Sequence, residues 1–351
     1  MITGIVCEFN PFHNGHKYLI DSVKKNENDA VICCMSGNFV QRGEFAVFDK
    51  FKRAETAIIN GADLVIELPT VFSTLSAEGF CRAGIMLIEA TGIADRIAFG
   101  AENDNIHALS ETANKLKDIS IQKEITKEMK SGISFPAARS KVLDTDILDY
   151  PNNILAVEYL KATSLPCYAV KRIGKGHDTD DREYSASAIR SGLDTNEISS
   201  IYNCETAILS KLRTMTSDDF RKITDVSEGL ENKIEKAVRE ATSLDELYNL
   251  IKSKRYTHSR IRRIILRAYL GIENTPKEAP YIRILGFNKK GKELLSKIKK
   301  TASKPIITKL KDCNEETLPF FLQECKFTDL YNLGYKKALP CGTEQKSHII
   351  K

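Results

Sequence analysis

Residues 4–19 have the sequence GIVCEFNPFHNGHKYL, in which an apolar run is followed by a polar turn and then by an amphipathic segment. Ile2–Phe9 is short, apolar and rich in β-branched residues, which is typical of a buried strand. Asn10-Pro11 ends this strand, because proline has no N–H to donate to a neighbouring strand. The apolar positions of Gly15–Lys25 suit one face of a helix. The stretch therefore predicts a strand that turns directly into a helix.

A turn of this kind is a candidate phosphate site. It places free backbone N–H groups and the positive end of a helix dipole at the carboxyl edge of a sheet. His13, His16 and Lys17 could hold a triphosphate there while charge builds on it, and Gly15 lets the backbone approach a ligand closely. A strand-to-helix turn is also common without any site, and single histidines are usually packed. The coincidence of both histidines and Gly15 at one corner favours the phosphate site.

The first half of the chain alternates between strand and helix patterns. Further strands are predicted at Ala30–Met35, Ala62–Pro69, Arg96–Gly100 and Tyr168–Ile173, with helices around residues 50–60, 77–90 and 106–163. Apolar strands separated by helices indicate a Rossmann-like α/β fold, with a parallel sheet covered on both faces. Polar residues or glycines follow these strands, at the edge where ligands bind: Ser36, Gly37, Glu67, Gly100, Glu102, Asn103 and Arg172. Past residue 190 the strand pattern fades, which predicts an α/β domain over 1–192 and a mostly helical domain over 193–351.

The composition sets wider bounds. A chain of 351 residues favours two domains, and a net charge of +5 does not by itself identify a partner. The nine cysteines are scattered and form no CxxC pair, which indicates buried thiols in a reducing cytoplasm rather than disulfides or a zinc site. No apolar run approaches the roughly 18 residues of a membrane-spanning helix. The expected location is therefore the cytoplasm, with no membrane partner.

Three further segments have compositions that suit ligand binding. Ser185–Arg190, with sequence SASAIR, places serines at a helix start and an arginine one turn later, which suits terminal phosphates, although a serine cap alone is usually only a cap. Arg172–Asp178 combines a strand end with two glycines and three possible cations, and it is equally compatible with a loop over phosphates or a surface turn. Ser36–Glu44 is polar and bracketed by glycines; it could cover an acceptor substrate or be a plain loop.

The strongest signal outside the predicted sheet is basic. No acidic residue occurs between Leu247 and Ile272. As a helix from Ser259, this segment would pack by its isoleucines and turn Arg260, Arg263 and Arg267 to solvent. Such a row, with Arg255 nearby, suits a nucleic-acid backbone, and Tyr256 and His258 could stack on bases. The alternative is a merely solvated basic helix.

The first stretch also carries a family resemblance. Phe9-Asn10-Pro11-Phe12-His13-Asn14-Gly15-His16 resembles the HxGH signature of the nucleotidyltransferase superfamily. Together with Met35–Glu44, sequence MSGNFVQRGE, the chain is similar over most of its length to the bacterial tRNA(Met) cytidine acetate ligase family. Ser185–Arg190 resembles the second signature, SSTxIR, with Ala186 in place of a serine and Ser187 in place of threonine. No KMSKS-like segment occurs, which argues against an aminoacyl-tRNA synthetase.

The resemblance implies residue roles. It makes His13, His16 and Lys17 catalytic and residues 1–192 the ATP-binding domain. The implied ATP contacts are Cys7, Glu8, Phe9, Asn10, Pro11, Phe12, His13, Asn14, Gly15, His16, Lys17, Tyr18, Leu19, Ile20, Gly100, Asn152, Arg172, Ile173, Ser187 and Arg190. Asn153 stays open as an alternative to Asn152. For tRNA binding we expect Arg255, Arg260, Arg263 and Arg267 of the C-terminal domain.

The resemblance also implies a reaction. ATP and acetate would give acetyl-adenylate and pyrophosphate, with Mg²⁺ bridging the phosphates. The exocyclic amine of the wobble cytidine of elongator tRNA(Met) would then attack, giving N4-acetylcytidine and AMP. Two alternatives are an adenylyltransferase acting on a small phosphorylated metabolite and a non-catalytic RNA-binding protein with a vestigial fold. No DNA partner is expected.

Overall fold

Alternating strands and helices build the protein, whose computed structural model describes residues 1–173, 186–227, 229–347 and 349–350. The strands are β1 (Ile2–Cys7), β2 (Ala30–Ser36), β3 (Phe39–Val40), β4 (Glu44–Phe45), β5 (Leu64–Leu68), β6 (Arg96–Ala101), β7 (Cys167–Lys171), β8 (Ile282–Phe287) and β9 (Ile306–Ile307). The helices of the first half are α1 (Asn14–Val23), α2 (Lys50–Ile59), α3 (Thr70–Ser73), α4 (Ala77–Glu89), α5 (Ile106–Lys117), α6 (Ile119–Met129), α7 (Phe135–Leu143), α8 (Pro151–Ala162) and α9 (Ala186–Ser191). Those that follow are α10 (Glu205–Arg213), α11 (Ser217–Arg221), α12 (Leu230–Glu240), α13 (Leu244–Ile251), α14 (His258–Leu270), α15 (Lys289–Thr301), α16 (Leu318–Tyr331) and α17 (Thr343–Lys346).

The main sheet confirms the predicted α/β fold. Within the described residues it has seven strands in the order β7-β6-β1-β2-β5-β8-β9. The five strands predicted from the sequence, which are β1, β2, β5, β6 and β7, pair with one another in parallel. The chain runs from β1 outward to β2 and β5, and then returns to place β6 on the other side of β1. This reversal between β1 and β6 opens a crevice at the carboxyl ends of the strands.

Side-chain alternation divides the core between the two faces of the sheet. Along β2, Val31 and Cys33 belong to one buried cluster, whereas Ile32 and Cys34 belong to another. Helices α1 and α2 cover the first face, and α4 and α8 lie in the cluster on the second. Both faces are therefore closed to water, as a parallel sheet requires. All nine cysteines are free thiols.

The second half of the chain contributes more strand than the sequence indicated. Strand β8 pairs antiparallel with β5, and β9 pairs with β8, so both belong to the main sheet. The apolar run of β8 is interrupted by Arg283, which is buried against Glu344, and by Gly286. Because of these two residues, the pattern of apolar residues in the sequence does not indicate a strand here. The division into domains over 1–192 and 193–351 stays a prediction.

No helix in the part of the chain that the structure describes has both the length and the apolar character needed to cross a membrane.

Candidate active site

The two histidines of the first turn lie against each other at the start of α1. Their rings are stacked, with centroids 3.7 Å apart. Nδ1 of His13 accepts the N–H of Gly15 at 3.1 Å, and Nδ1 of His16 accepts the N–H of His13 at 3.2 Å. A ring nitrogen that accepts carries no proton, so this pattern assigns the proton of each ring to Nε2. Both imidazoles thus have an Nε2–H left to donate.

The imidazoles are neutral in this environment. Burial, and then the positive charges of Arg172 and Arg190, lower the pKa of His13 to about 4. Burial and the adjacent His13 lower the pKa of His16 well below its usual value. At neutral pH the pair therefore offers N–H donors, and the positive charge at this corner comes from the two arginines.

The side chain of Lys17 is paired outside this corner, although its backbone N–H donates to the carbonyl of His13. Its ammonium group forms an exposed ion pair with Asp21, one turn further along α1. Lys17 is also absent from the residues that line the cavity beside the histidines. Its expected catalytic contact with phosphate therefore stays a prediction, and it would require the side chain to leave Asp21.

A cavity of about 920 Å³ opens at the crevice beside the histidines. Most of the predicted ATP contacts line it, namely Cys7, Glu8, Phe9, Asn10, His13, Gly15, His16, Tyr18, Leu19, Gly100, Asn152, Arg172, Ile173 and Arg190. Pro11, Phe12, Asn14, Lys17, Ile20 and Ser187 are described but do not line it. The structure therefore brings together in one cavity residues that are up to about half the chain apart in sequence.

Some of the predicted ATP contacts that do not line the cavity pack against, or bond to, residues that do. Ile20 is fully buried in the core beneath α1. The ring of Phe12 packs against that of His16, with centroids 5.5 Å apart. The hydroxyl of Ser187 accepts a hydrogen bond from Arg190 at 3.1 Å. These residues position cavity-lining groups rather than face the cavity themselves.

The two candidate asparagines differ in environment. Asn153 is buried and its side chain accepts the backbone N–H of Asn103 at 2.9 Å. Asn152 lines the cavity, where its side-chain amide donates to Glu102 at 2.6 Å. This placement favours Asn152 as the ligand contact and gives Asn153 a structural role. Gly100 lines the same cavity, and a Cβ there would lie at van der Waals distance, 3.5 Å, from the side chain of Arg172.

Arg190 connects the second signature to the first turn. One terminal nitrogen donates to the backbone oxygen of Asn10 at 2.8 Å, and the side chain is half-buried. The guanidinium is therefore held close to the histidine corner, as a contact with terminal phosphates would require. The loop prediction for Gly174–Asp178 and the contact expected of Ser185 lie outside the described residues.

The arginines of α14 do not form the expected row toward solvent. Arg267 is 1% exposed and Arg263 is 7% exposed. Arg260 donates to the backbone oxygen of Asp225 at 2.6 Å, and a terminal nitrogen of Arg263 lies 3.8 Å from the Asp225 carboxylate. Tyr256, expected to stack on bases, is buried too. The expected row toward solvent was wrong because Arg263 and Arg267 find partners in other segments of the chain, which a local charge count does not detect. Contact of these residues with RNA stays a prediction.

The start of α14 nevertheless reaches the histidine cavity. Arg255, Arg260 and Arg263, with His258, line the same cavity as the two imidazoles, whereas Arg267 does not. The predicted nucleotide and nucleic-acid residues therefore meet in one cavity instead of occupying separate surfaces.

The segment between β2 and α2 connects the two groups. The N–H of Gln41 donates to Glu8 at 2.6 Å, at the end of β1. Glu44 forms an ion pair of 2.6 Å with Arg262 of α14. Gln41, Arg42 and Glu44 also line the cavity. The expected wall over an acceptor stays a prediction. Burial raises the pKa of Glu8.

Other cavity residues had no signal in the sequence. Helix α7 contributes Phe135 and Arg139, and Asp225 lies near the arginines. None belongs to a motif, and their place in the lining of this cavity depends on the path of the chain between distant elements. An aromatic residue at a helix start beside a proline gives no hint of a cavity.

Comparison with known proteins matches this geometry. A family model described as HIGH Nucleotidyl Transferase matches residues 1–206 and 194–346. The tRNA(Met) cytidine acetate ligases of Thermoanaerobacter sp. (strain X514) and Clostridium acetobutylicum are 38% and 37% identical to the chain, covering 100% and 99% of it and 99% of each relative. The chain belongs to the tRNA(Met) cytidine acetate ligase family.

Two solved structures have the same fold as this chain over nearly its whole length, as membership of this ligase family predicts. Thermotoga maritima TmcAL bound with alpha-thio ATP has a TM-score of 0.88 and 32% identity, over 99% of this chain and 98% of that chain. The apo form of the same protein has a TM-score of 0.91 over 99% of both chains. The tRNA(Met) cytidine acetate ligase fold therefore extends over nearly the whole chain, including the region of β8 and α14.

Proposed function

We propose that this protein is an ATP-dependent ligase that acetylates the wobble cytidine of elongator tRNA(Met) through an acetyl-adenylate. The observation that carries the proposal is the shared cavity, which holds the imidazole pair, Arg172 and Arg190 together with the first arginines of α14. Membership of the ligase family supports the same activity. The comparisons do not support the alternative, a small-metabolite adenylyltransferase. A tRNA substrate fits the cytoplasmic location expected from the sequence.

The first step joins acetate to ATP. A carboxylate oxygen of acetate attacks the α-phosphorus, the new P–O bond forms, and pyrophosphate leaves. The Nε2–H groups of His13 and His16 would donate to phosphate oxygens, and Arg172 and Arg190 would neutralise the growing negative charge. Each well-placed donor contributes about 3–4 kcal/mol of transition-state stabilisation. Because the adenylate is itself the activated species, no protein nucleophile is needed.

The second step transfers the acetyl group. The exocyclic amine of cytidine attacks the carbonyl carbon, the C–N bond forms, and the bond from that carbon to the AMP oxygen breaks, while the amine releases one proton to solvent. The role of the protein here is to hold the two reactants in contact, which accounts for much of the rate gain in such reactions.

Mg²⁺ is expected with the nucleotide. Among the residues that the structure describes, no three His, Cys, Asp or Glu side chains form a metal-binding group. Mg²⁺ commonly takes most of its ligands from substrate phosphates and water, so it would enter with ATP and screen the phosphate charge.

Single substitutions should separate the two functions of the cavity. His16→Ala should lower acetate-dependent ATP–pyrophosphate exchange by about 100- to 1,000-fold, through loss of one donor, and should leave tRNA affinity nearly unchanged. His107→Ala, on the exposed surface of α5, is the matched control. An exchange rate within twofold of wild type for His16→Ala would contradict the proposal.

The arginine variants should show the opposite pattern. Arg255→Gln with Arg260→Gln should weaken tRNA binding and make its dependence on salt shallower by roughly one unit of slope per lost phosphate contact. ATP–pyrophosphate exchange without RNA should be retained. Lys236→Gln with Arg239→Gln, on the exposed face of α12, removes the same two positive charges and controls for net charge. If either His16→Ala or the double arginine variant impaired exchange and tRNA binding equally, the histidines and the arginines would not have separate roles.

A further inference from the structure

An aromatic side chain without an assigned role lies at the cavity wall. Phe135, the first residue of α7, is 44% exposed and lines the cavity that holds His13 and His16. Of the exposed large apolar side chains in the described ranges, Tyr18 and Phe135 line this cavity. Tyr18 lies on α1 beside the histidine corner, within the predicted ATP contacts. Phe135 belongs to no predicted contact set. An exposed aromatic ring in a cavity wall is suited to contact with a ligand.

The ring of Phe135 is held by a fixed cation. The guanidinium carbon of Arg139, one turn along α7, lies over the ring at 5.4 Å from its centroid. Arg139 is 4% exposed and donates to Glu158 at 2.9 Å, and Glu158 in turn pairs with Lys161 at 2.7 Å. One side of the ring is thus backed by a buried, ion-paired group, while its exposed surface borders the cavity. A ring restrained in this way loses little entropy when a ligand stacks on it.

The proposed reaction demands such a surface. A base whose exocyclic amine reacts has to leave its stack and be held in the active site, and unstacked RNA bases are commonly held on aromatic rings. The cavity volume of about 920 Å³ lies near the upper end of the roughly 300–1,000 Å³ of single-ligand sites, which leaves room for a base beside a nucleotide. Apolar Met129, Ile154 and Leu155 line the same cavity, as do arginines of α14.

We propose that Phe135 is the stacking platform for the acceptor pyrimidine of the RNA, with Arg139 as the residue that positions its ring. The inference rests on the proposed function and names the part of the cavity that receives the second substrate. Arginines at the start of α14 would hold phosphates flanking the stacked base, so that its amine faces the acyl group at the histidine corner.

Phe135→Ala tests the proposal in the full-length protein. Loss of one base–aromatic stack should lower kcat/KM for an anticodon stem-loop RNA by about 5- to 150-fold, which corresponds to about 1–3 kcal/mol. Phe135→Tyr should retain at least half of the wild-type value, and Phe135→Leu should fall between them, because leucine keeps apolar area without a π face. Acetate-dependent ATP–pyrophosphate exchange without RNA should stay within twofold of wild type in all three.

Tyr168→Ala is the matched control. Tyr168 is also aromatic, similarly exposed and covered by an arginine, with the guanidinium carbon of Arg96 at 5.2 Å, but it does not line the cavity. The proposal is overturned if Phe135→Ala keeps kcat/KM for RNA within twofold, or if it behaves like Tyr168→Ala. It is also overturned if the KM for ATP in RNA-free exchange rises by the same factor, since Phe135 would then stack on adenine.

A binding measurement separates this inference from the proposed function. A stem-loop with pyrrolocytosine at the wobble position should lose fluorescence on binding to wild type and Phe135→Tyr, and much less with Phe135→Ala at saturation. This readout needs no acetyl transfer. Quenching that depends on Phe135, without acetylation of an unmodified cytidine stem-loop by wild type, would support the platform and reject the ligase activity. Acetylation with quenching independent of Phe135 would do the reverse.

Discussion

Individual guanidinium groups hold α14 in place. The terminal nitrogens of Arg267 donate to the backbone oxygen of Val71 at 2.9 Å and to the hydroxyls of Thr74, Thr224 and Thr275 at 3.1, 3.2 and 2.8 Å. These partners come from three separate segments. At this position the fork of an arginine joins α14 to the first half of the chain, which a lysine could not do.

Arg267→Lys should therefore act on stability. Because several buried hydroxyl and carbonyl groups would lose their donor, we expect the free energy of unfolding in urea to fall by about 2–4 kcal/mol. The tRNA affinity of the folded variant should remain close to wild type. Arg239→Lys on the surface of α12 should change neither quantity. Unchanged stability with weakened tRNA binding would instead support the original expectation that Arg267 contacts RNA.

At the scale of elements, the turn between β3 and β4 fixes the position of α14. Gly43 has φ +76°, and a Cβ there would lie 2.5 Å from backbone atoms of Arg262 and Arg263. The turn thus rests directly on the helix backbone, and the adjacent Glu44–Arg262 ion pair reinforces this contact. Through Gln41 the same turn also contacts Glu8 at the end of β1.

Gly43→Ala should consequently cost more than backbone strain. Gly271, which ends α14, has φ +72°, and apart from its own residue and the two chain neighbours no atom of the described residues lies within 4 Å of the position that a Cβ would take there. Gly271→Ala therefore measures strain alone, at about 1–2 kcal/mol. Gly43→Ala should add a further 1–3 kcal/mol or so from overpacking, measured by urea unfolding. It should also slow acetyl transfer to tRNA more than ATP–pyrophosphate exchange. Equal stability losses for the two variants would show that the turn can shift away from α14 and accommodate the added Cβ without further cost in free energy.

Across the whole molecule, a buried charge network joins the first half to the C-terminal helices. Lys50 pairs with Glu67 at 2.6 Å and with Glu344 at 2.9 Å, and Arg283 pairs with Glu344 at 3.1 Å. Glu324 of α16 is buried beside them. Burial, and then the neighbouring Glu67 carboxylate, raise the pKa of Glu324 to about 8. With one proton retained on Glu324, the two cations balance the remaining carboxylates.

This network should make stability depend on pH. An unfolded glutamate titrates near 4.5, so between about pH 4.5 and 8 the native state keeps a proton that the unfolded state releases. The Glu324 contribution is therefore full below pH 4.5 and is lost as the pH rises toward 8. Glu324→Gln, whose amide can still bond Thr70, should gain about 3–4 kcal/mol relative to wild type between pH 5 and pH 8. The exposed Glu316→Gln should show no such gain, and parallel pH profiles for wild type and Glu324→Gln would refute the pKa shift.

The sequence was informative where local chemistry determines structure. The strand, turn and helix around His13 and His16 form as predicted, because the spacing of apolar residues, a proline and a glycine determine the backbone conformation within a few residues. Strand β8 was missed since the buried Arg283 is held there by Glu344 and by the ring of Phe321, two partners distant in sequence. The burial of Arg263 and the cavity position of Phe135 depend likewise on segments that tertiary structure brings together. Contacts of this kind leave no local pattern.

The antiparallel insertion of β8 affects how the protein is made. Strand β5 leaves the ribosome early, yet the strand that covers its outer edge follows only after residue 281. At ~5–20 residues per second, translation of the intervening segment takes about 10–40 s. Throughout that interval the nascent sheet presents unpaired N–H and C=O groups to other chains. Protection of this edge by the helices being synthesised, or by a chaperone, is therefore a requirement of biogenesis rather than of catalysis.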